Sequence, residues 1–169
     1  IVRPWAAGVT VLLIRLLGGW VVARAVAGRA SQPVGADVQA MVVRLSGRLA
    51  LDRAVRVFES ASVVVPVVIG WMRPIVLLPT SAISGLSVKQ LEMILAHELA
   101  HIRRNDYLVN ILQTIIETLF FYHPAVWCVS YKIRETREHC CDDLAVKLCG
   151  GNKFHYAQTL ASLDSLRPN

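Results

Sequence analysis

The segment ILAHELAHIRRND, from Ile94 to Asp106, limits the folds open to this chain more than any other feature. Residues four apart on an α-helix stand above one another on one face, so His97 and His101 project side by side and can grip one metal ion. Glu98, one position on from His97, can reach a water on that ion without ligating it, which suits a general base. With five histidines and six glutamates in 169 residues, chance produces such a string in roughly one chain of this composition in two hundred. A surface helix with solvated His and Glu is the bland alternative. A fold that uses the motif must turn this helix toward a cleft and bring a further ligand to it.

A chain of 169 residues suffices for one domain with a real core, and no internal repeat is visible. Ile1 in place of Met, and an end at 162–169 without cap or tail, point to a piece of a longer protein. Hydrophobic residues make up 54% of the chain, and its mean hydropathy of +0.48 exceeds that of an ordinary soluble domain. The stretch from Pro4 to Ala23 is interrupted by one charge, Arg15, and is expected to be a transmembrane helix. It lacks the short apolar core and small-residue cleavage site of a signal peptide.

The net charge of +6 comes with no aromatic-interleaved basic patch, so direct nucleic-acid binding is not expected. Six arginines between Arg24 and Arg56 face only Asp37 and Asp52, and positive flanks of this kind stay on the cytoplasmic side of a membrane. The domain that follows is therefore expected to face the cytoplasm. Cys128, Cys140, Cys141 and Cys149 have neither zinc-ribbon spacing nor the density of a disulfide scaffold, and read as free thiols.

Residues 24–50 read as a basic linker rich in small and turn residues, then an amphipathic helix around Val38 to Ala50; residues 51–165 read as the folded catalytic unit. Between Val55 and Pro79 the chain is dense in Val and Ile and broken by Pro66, Gly70, Pro74 and Pro79, which predicts short strands and a hairpin near Gly70 to Arg73. Pro66 cannot donate to a sheet ladder and marks its strand as an edge or a bulge. Ser87 with Gln90 three residues later predicts a capping box, and Leu91, Ile94, Leu95 and Ile102 form the apolar stripe of the helix it opens.

A catalytic zinc usually takes three protein ligands. The acidic candidates for the third are Asp106, Glu117, Glu135, Glu138, Asp142, Asp143 and Asp164. Glu138 and Asp142 are preferred as a pair, because four-residue spacing puts them on one helical face where one can ligate while the other orients a ligand histidine. A salt-bridged solvated helix with Arg134 and Arg137 is the competing reading. Tyr107 to Ser130 is apolar enough to suggest a second span, but a straight helix of that length would separate its ends by about 36 Å. His123-Pro124 removes the conflict, since proline is welcome at a helix start and not inside one. The chain is expected to turn there, with Leu108 to Tyr122 buried or dipping into the bilayer face.

The segments PVVIGWMRPIVLLP, HELAHIRRNDYLVNILQ and FYHPAVWCVSYKIRETREHCCDDLAV resemble the membrane zinc metallopeptidases of the BlaR/MecR type, which include beta-lactam sensor-transducers of Gram-positive bacteria. The resemblance covers roughly residues 50 to 165 and is far more specific than H-E-x-x-H alone. It implies an α+β, mostly helical, gluzincin-like fold with a small β-sheet, and one Zn²⁺ held by His97, His101 and Glu138. Glu98 would activate the water, and Asp142 matches the acidic residue that follows the ligand glutamate. It also implies a multi-pass protein of the bacterial cytoplasmic membrane, with the lipid bilayer as a partner and a protein or peptide substrate, a transcriptional repressor being one candidate. No serine nucleophile motif of a penicillin-binding sensor is present. His155 and Tyr156 are candidates for an oxyanion stabiliser, a packed role being at least as good a reading of each. The strand through Val63 to Ile69 offers backbone groups to an extended substrate. The rival readings are a signalling or binding module that keeps the zinc fold without turnover, against which the intact Glu98 argues, and a structural membrane protein.

Overall fold

The computed structural model describes residues 2–28 and 32–166. Residue 1, residues 29–31, inside the expected linker, and residues 167–169, at the end, lie outside the described residues. Among the described residues, seven helices and four strands follow in the order α1 (Val2–Gly28), β1 (Gln32–Pro33), α2 (Ala36–Arg48), β2 (Arg56–Ser60), β3 (Val67–Ile69), β4 (Ile75–Pro79), α3 (Thr80–Gly85), α4 (Val88–Arg103), α5 (Asp106–Leu119), α6 (Pro124–Leu148) and α7 (Lys153–Ser165). This is an α+β chain, mostly helical, with one small mixed sheet.

The sheet has the order β1-β2-β4-β3. β4 is its buried centre and reads as a continuous apolar run, as a strand covered on both faces must. It runs parallel to β2 and antiparallel to β3, with Val68 opposite Val76. The hairpin falls where the glycine and prolines place it. Gly70 takes φ +89, and a Cβ there would come within 3.1 Å of the Arg73 carbonyl oxygen, so the turn requires glycine on both counts. β3 follows Pro66 directly and is the sheet's edge, as a residue without an N–H demands.

The core lies between the sheet and α4. Leu95 and Leu99 of α4, Leu45 of α2, Val76 and Leu78 of β4 and Ala145 of α6 are wholly buried within one cluster. That cluster reaches back to Met41 and Val42, so α2 packs into the same core as the motif helix. α2 closes with Leu51 N–H donating to the Ser46 carbonyl at 3.0 Å and Ala50 N–H to the Gly47 carbonyl at 3.1 Å. The capping box on α4 is formed in full: the Ser87 hydroxyl accepts from Gln90 N–H and the Gln90 side chain accepts from Ser87 N–H.

α5 and α6 form an antiparallel hairpin. His123 is the cap residue of α6 and Pro124 its first residue, so the apolar segment does turn where proline enters. Glu117 of α5 pairs with Arg134 of α6, and Gln113 Nε2 donates to the Ser130 carbonyl at 3.1 Å. α1 lies against this hairpin, with Trp5 Nε1 donating to the Leu119 carbonyl at 3.1 Å. Leu108, Leu112, Ile115 and Leu119 of α5, and Val11, Ile14 and Leu17 of α1, are left exposed.

The expected transmembrane helix over 4–23 is met only in part. The segment is helical, within α1, yet among the described residues no helix is long and apolar enough to cross a membrane. Arg15 stands exposed near the middle of α1 and divides its apolar run. α1 also continues through Gly28, so the first five residues of the expected linker, 24–28, are helix.

Candidate metal centre

His97 and His101 are on the last turns of α4, on one face as their spacing requires, with Leu95, Ala96, Leu99 and Ala100 buried around them to fix the helix. α6 packs along α4 and brings Glu138 over both rings. His97 Nε2 lies 3.1 Å from His101 Nε2, and Glu138 Oε2 lies 3.6 Å from each. These three atoms form a group able to hold a metal ion. Tetrahedral ligands about 2.0–2.2 Å from a zinc ion sit about 3.3–3.6 Å from one another, so the observed triangle is of the right size.

The outer nitrogens of both rings meet carboxylates. Asp142 Oδ1 is 3.0 Å from His97 Nδ1, and Tyr156 donates its hydroxyl proton to the same Asp142 oxygen at 2.6 Å while standing 2.9 Å from His97 Nδ1. Asp106 Oδ2 is 2.7 Å from His101 Nδ1. An ionised carboxylate only accepts, so in a neutral ring the proton sits on Nδ1 and Nε2 presents a lone pair. In that tautomer three acceptors, two imidazole nitrogens and a carboxylate oxygen, converge on one point. A cation is what such a set fits. Burial, reinforced by His101, holds the His97 pKa below its usual value against the pull of Asp142 and Glu138, which keeps the ring in its neutral, ligating form.

Glu98 points into the cleft beside this group. Burial pushes its carboxyl up to about 7; His101 opposes the rise and Glu138 adds to it. A carboxyl poised near neutrality can both take and return a proton. The cleft measures about 280 Å³ and is bordered by Val67 and Val68 of β3, Trp71, Glu98, His101, Glu138, and Asp106, Tyr107 and Asn110 of α5.

His97, Glu98, His101, Glu138 and Asp142 are thus brought together. His155 is not: it is exposed and borders a separate cavity of about 490 Å³ between the start of α4 and α7. Tyr156 is buried, and its hydroxyl supports Asp142 and His97 from behind. Burial, with Asp142 next, pushes its pKa up, so it stays a neutral donor. Glu135 pairs with Lys132 at 2.7 Å.

Asp106 was legible only as one of seven acidic candidates. Its place follows from a two-residue turn in which Asn105 adopts φ 54, a left-handed conformation that asparagine tolerates, folding the first residue of α5 back onto the end of α4. Cys141, wholly buried on α6, packs against the same pair, with Sγ 3.4 Å from His101 Nδ1 and 3.6 Å from Asp106 Oδ2. Burial first, and then Asp106, push its thiol up to about 12. Asn110 carried no sequence signal, and Arg137 entered only as part of a solvated, salt-bridged helix.

A family model described as BlaR1 peptidase M56 matches residues 1–169. Among curated proteins, the chain is similar to the regulatory protein BlaR1 of Bacillus licheniformis, 29% identical over 104 residues, which are 60% of this chain and 17% of that protein. It is similar also to the methicillin resistance mecR1 protein of Staphylococcus aureus strain Mu50, 24% identical over 103 residues, 60% of this chain and 18% of that protein. The BlaR1 regulatory protein of Staphylococcus aureus is 29% identical over 102 residues, 60% of this chain and 17% of that protein. The chain spans less than a fifth of the length of these relatives. With the family model matched from end to end, the chain belongs to the BlaR1 peptidase M56 family.

Proposed function

We propose that this chain is the catalytic domain of a zinc-dependent endopeptidase, gluzincin-like in design, which cleaves a protein substrate on the cytoplasmic face of the bacterial membrane. The observation that carries the reading is the convergence of His97 Nε2, His101 Nε2 and Glu138 Oε2, three acceptors within 4.8 Å of one another. When bound there, zinc supplies Lewis acidity, lowering the pKa of a water to about 7 and polarising the scissile carbonyl.

The chain's own residues do the rest. Asp142 and Asp106 hold the two imidazoles with Nε2 toward the centre. Glu98 takes the proton of the attacking water and delivers it to the leaving amine nitrogen, a double duty that suits a carboxyl near neutrality. The edge strand β3 borders the same cleft, so a substrate can add to it as a further strand and lie extended past Glu98.

The apolar faces of α1 and the α5–α6 hairpin support a seat in the bilayer surface, because a soluble monomer rarely leaves so many large aliphatic residues uncovered. Relatives named as regulatory and resistance proteins support a role in signalling, and a protein that controls transcription is the substrate class such a role calls for. The test is metal analysis of the purified full chain: one zinc per chain is expected, lost in His101→Ala. A wild-type chain that takes up no zinc would contradict the reading.

A further inference from the structure

Asn110 stands one turn along α5 from Asp106 and borders the cleft that holds Glu98, His101 and Glu138. Arg137 of α6 donates through one terminal nitrogen to Asn110 Oδ1 at 2.6 Å and through the other to the Asp106 carbonyl at 3.4 Å. A guanidinium has only donors, so whichever way the amide is drawn, the atom facing Arg137 must be the oxygen. The Asn110 amide nitrogen, with two N–H groups, is therefore turned away from Arg137. It makes no hydrogen bond among the described residues, and the residue is exposed.

Arg137 is itself unusual. It is only 7% exposed, forms no ion pair with a described carboxylate, and leaves its Nε without a partner. A buried cation without a counter-ion destabilises a fold, so packing alone gives no reason for its place, immediately before Glu138 on α6. What it does do is fix and polarise the Asn110 amide, which strengthens the free N–H as a donor. An extended peptide has hydrogen-bonding groups along both edges. If β3 pairs with one edge, the carbonyls of the other need donors, and α5 supplies the opposing residues of the cleft.

We propose that Asn110 is a substrate-binding residue whose Nδ2 donates to a backbone carbonyl of the extended peptide, and that Arg137 is its positioning residue. The proposal rests on the metallopeptidase reading and assigns one contact of its substrate.

The test measures the affinity of the zinc-loaded full chain for a peptidyl hydroxamate, with zinc content determined on each sample. Asn110→Asp keeps the acceptor that Arg137 needs and removes both donors; Asn110→Ala removes donor and acceptor without adding charge. Both variants are expected to bind the hydroxamate roughly tenfold more weakly at unchanged zinc content, the loss of one good hydrogen bond. Wild-type affinity in either variant would overturn the proposal, since a residue that only receives Arg137 loses nothing as Asp. A zinc-loaded wild type that does not bind the hydroxamate at all would overturn the metallopeptidase reading, and this contact with it.

Discussion

Asp106 Oδ2 sits 2.7 Å from His101 Nδ1, though the two residues belong to different helices. Asp106 is 4% exposed, and its carboxylate pins the second histidine as Asp142 pins the first. The two carboxylates are not equivalent, because Tyr156 remains within 2.9 Å of His97 when Asp142 is removed, whereas His101 has no such reserve beyond the neutral Cys141 thiol. Asp142→Ala should therefore weaken zinc binding by roughly tenfold and Asp106→Ala by nearer a hundredfold. Competition against a chelator of known affinity measures both, and an Asp106→Ala protein that holds zinc as tightly as wild type would show that the contact is idle.

Glu138 and Glu135 separate ligand from neighbour. Glu138→Ala removes one of three converging ligand atoms and should leave the purified protein with little zinc, while Glu135→Ala breaks only surface pairs with Lys132 and His139 and should keep its metal. Metal content of the two variants decides, and a Glu135 variant emptier than the Glu138 variant would reassign the ligand.

The cysteines should differ in reactivity. Burial pushes the Cys149 thiol up to about 11 and, with Asp106, the Cys141 thiol up to about 12, while Cys128 is exposed. Only the thiolate attacks an alkylating agent, so at pH 8 roughly one Cys149 in a thousand is reactive, and the fraction rises about tenfold with each pH unit below the pKa. Iodoacetamide at pH 8 should modify Cys128 first, with Cys149 slower and Cys141 slowest. Peptide mapping by mass spectrometry reads the order, and early loss of Cys141 would contradict the packing.

Much of this was legible because local chemistry and tertiary position agreed. Ser87 and Gln90 announced the start of α4, Gly70 the hairpin, Pro124 the reversal that lets α6 return to α4, and the four-residue spacings of His97 with His101 and Glu138 with Asp142 put each pair on one face. What was not legible depended on how elements dock. Asp106 reaches His101 only because Asn105 turns left-handed; Arg137, which charge patterning assigns to a solvated face, is buried because α5 lies over it. His155 and Tyr156 are adjacent in sequence, yet the helical turn between them sends one to solvent and the other behind His97 and Asp142. The apolar run of α1 reads as a span by composition, but it carries an exposed Arg15 and lies against the hairpin through Trp5.

The central claim is that Glu98 moves a proton and does not hold the metal. Glu98→Gln preserves size and polarity but replaces the basic oxygen with an NH2 group that cannot take a proton, leaving His97, His101 and Glu138 untouched. Cleavage of an unstructured protein such as casein, measured side by side with zinc content, is the most direct test. The account predicts a Glu98→Gln protein that carries wild-type zinc and cleaves at least a hundredfold more slowly, of the order general-base catalysis contributes; a zinc-loaded Glu98→Gln protein that cleaves at the wild-type rate would contradict it.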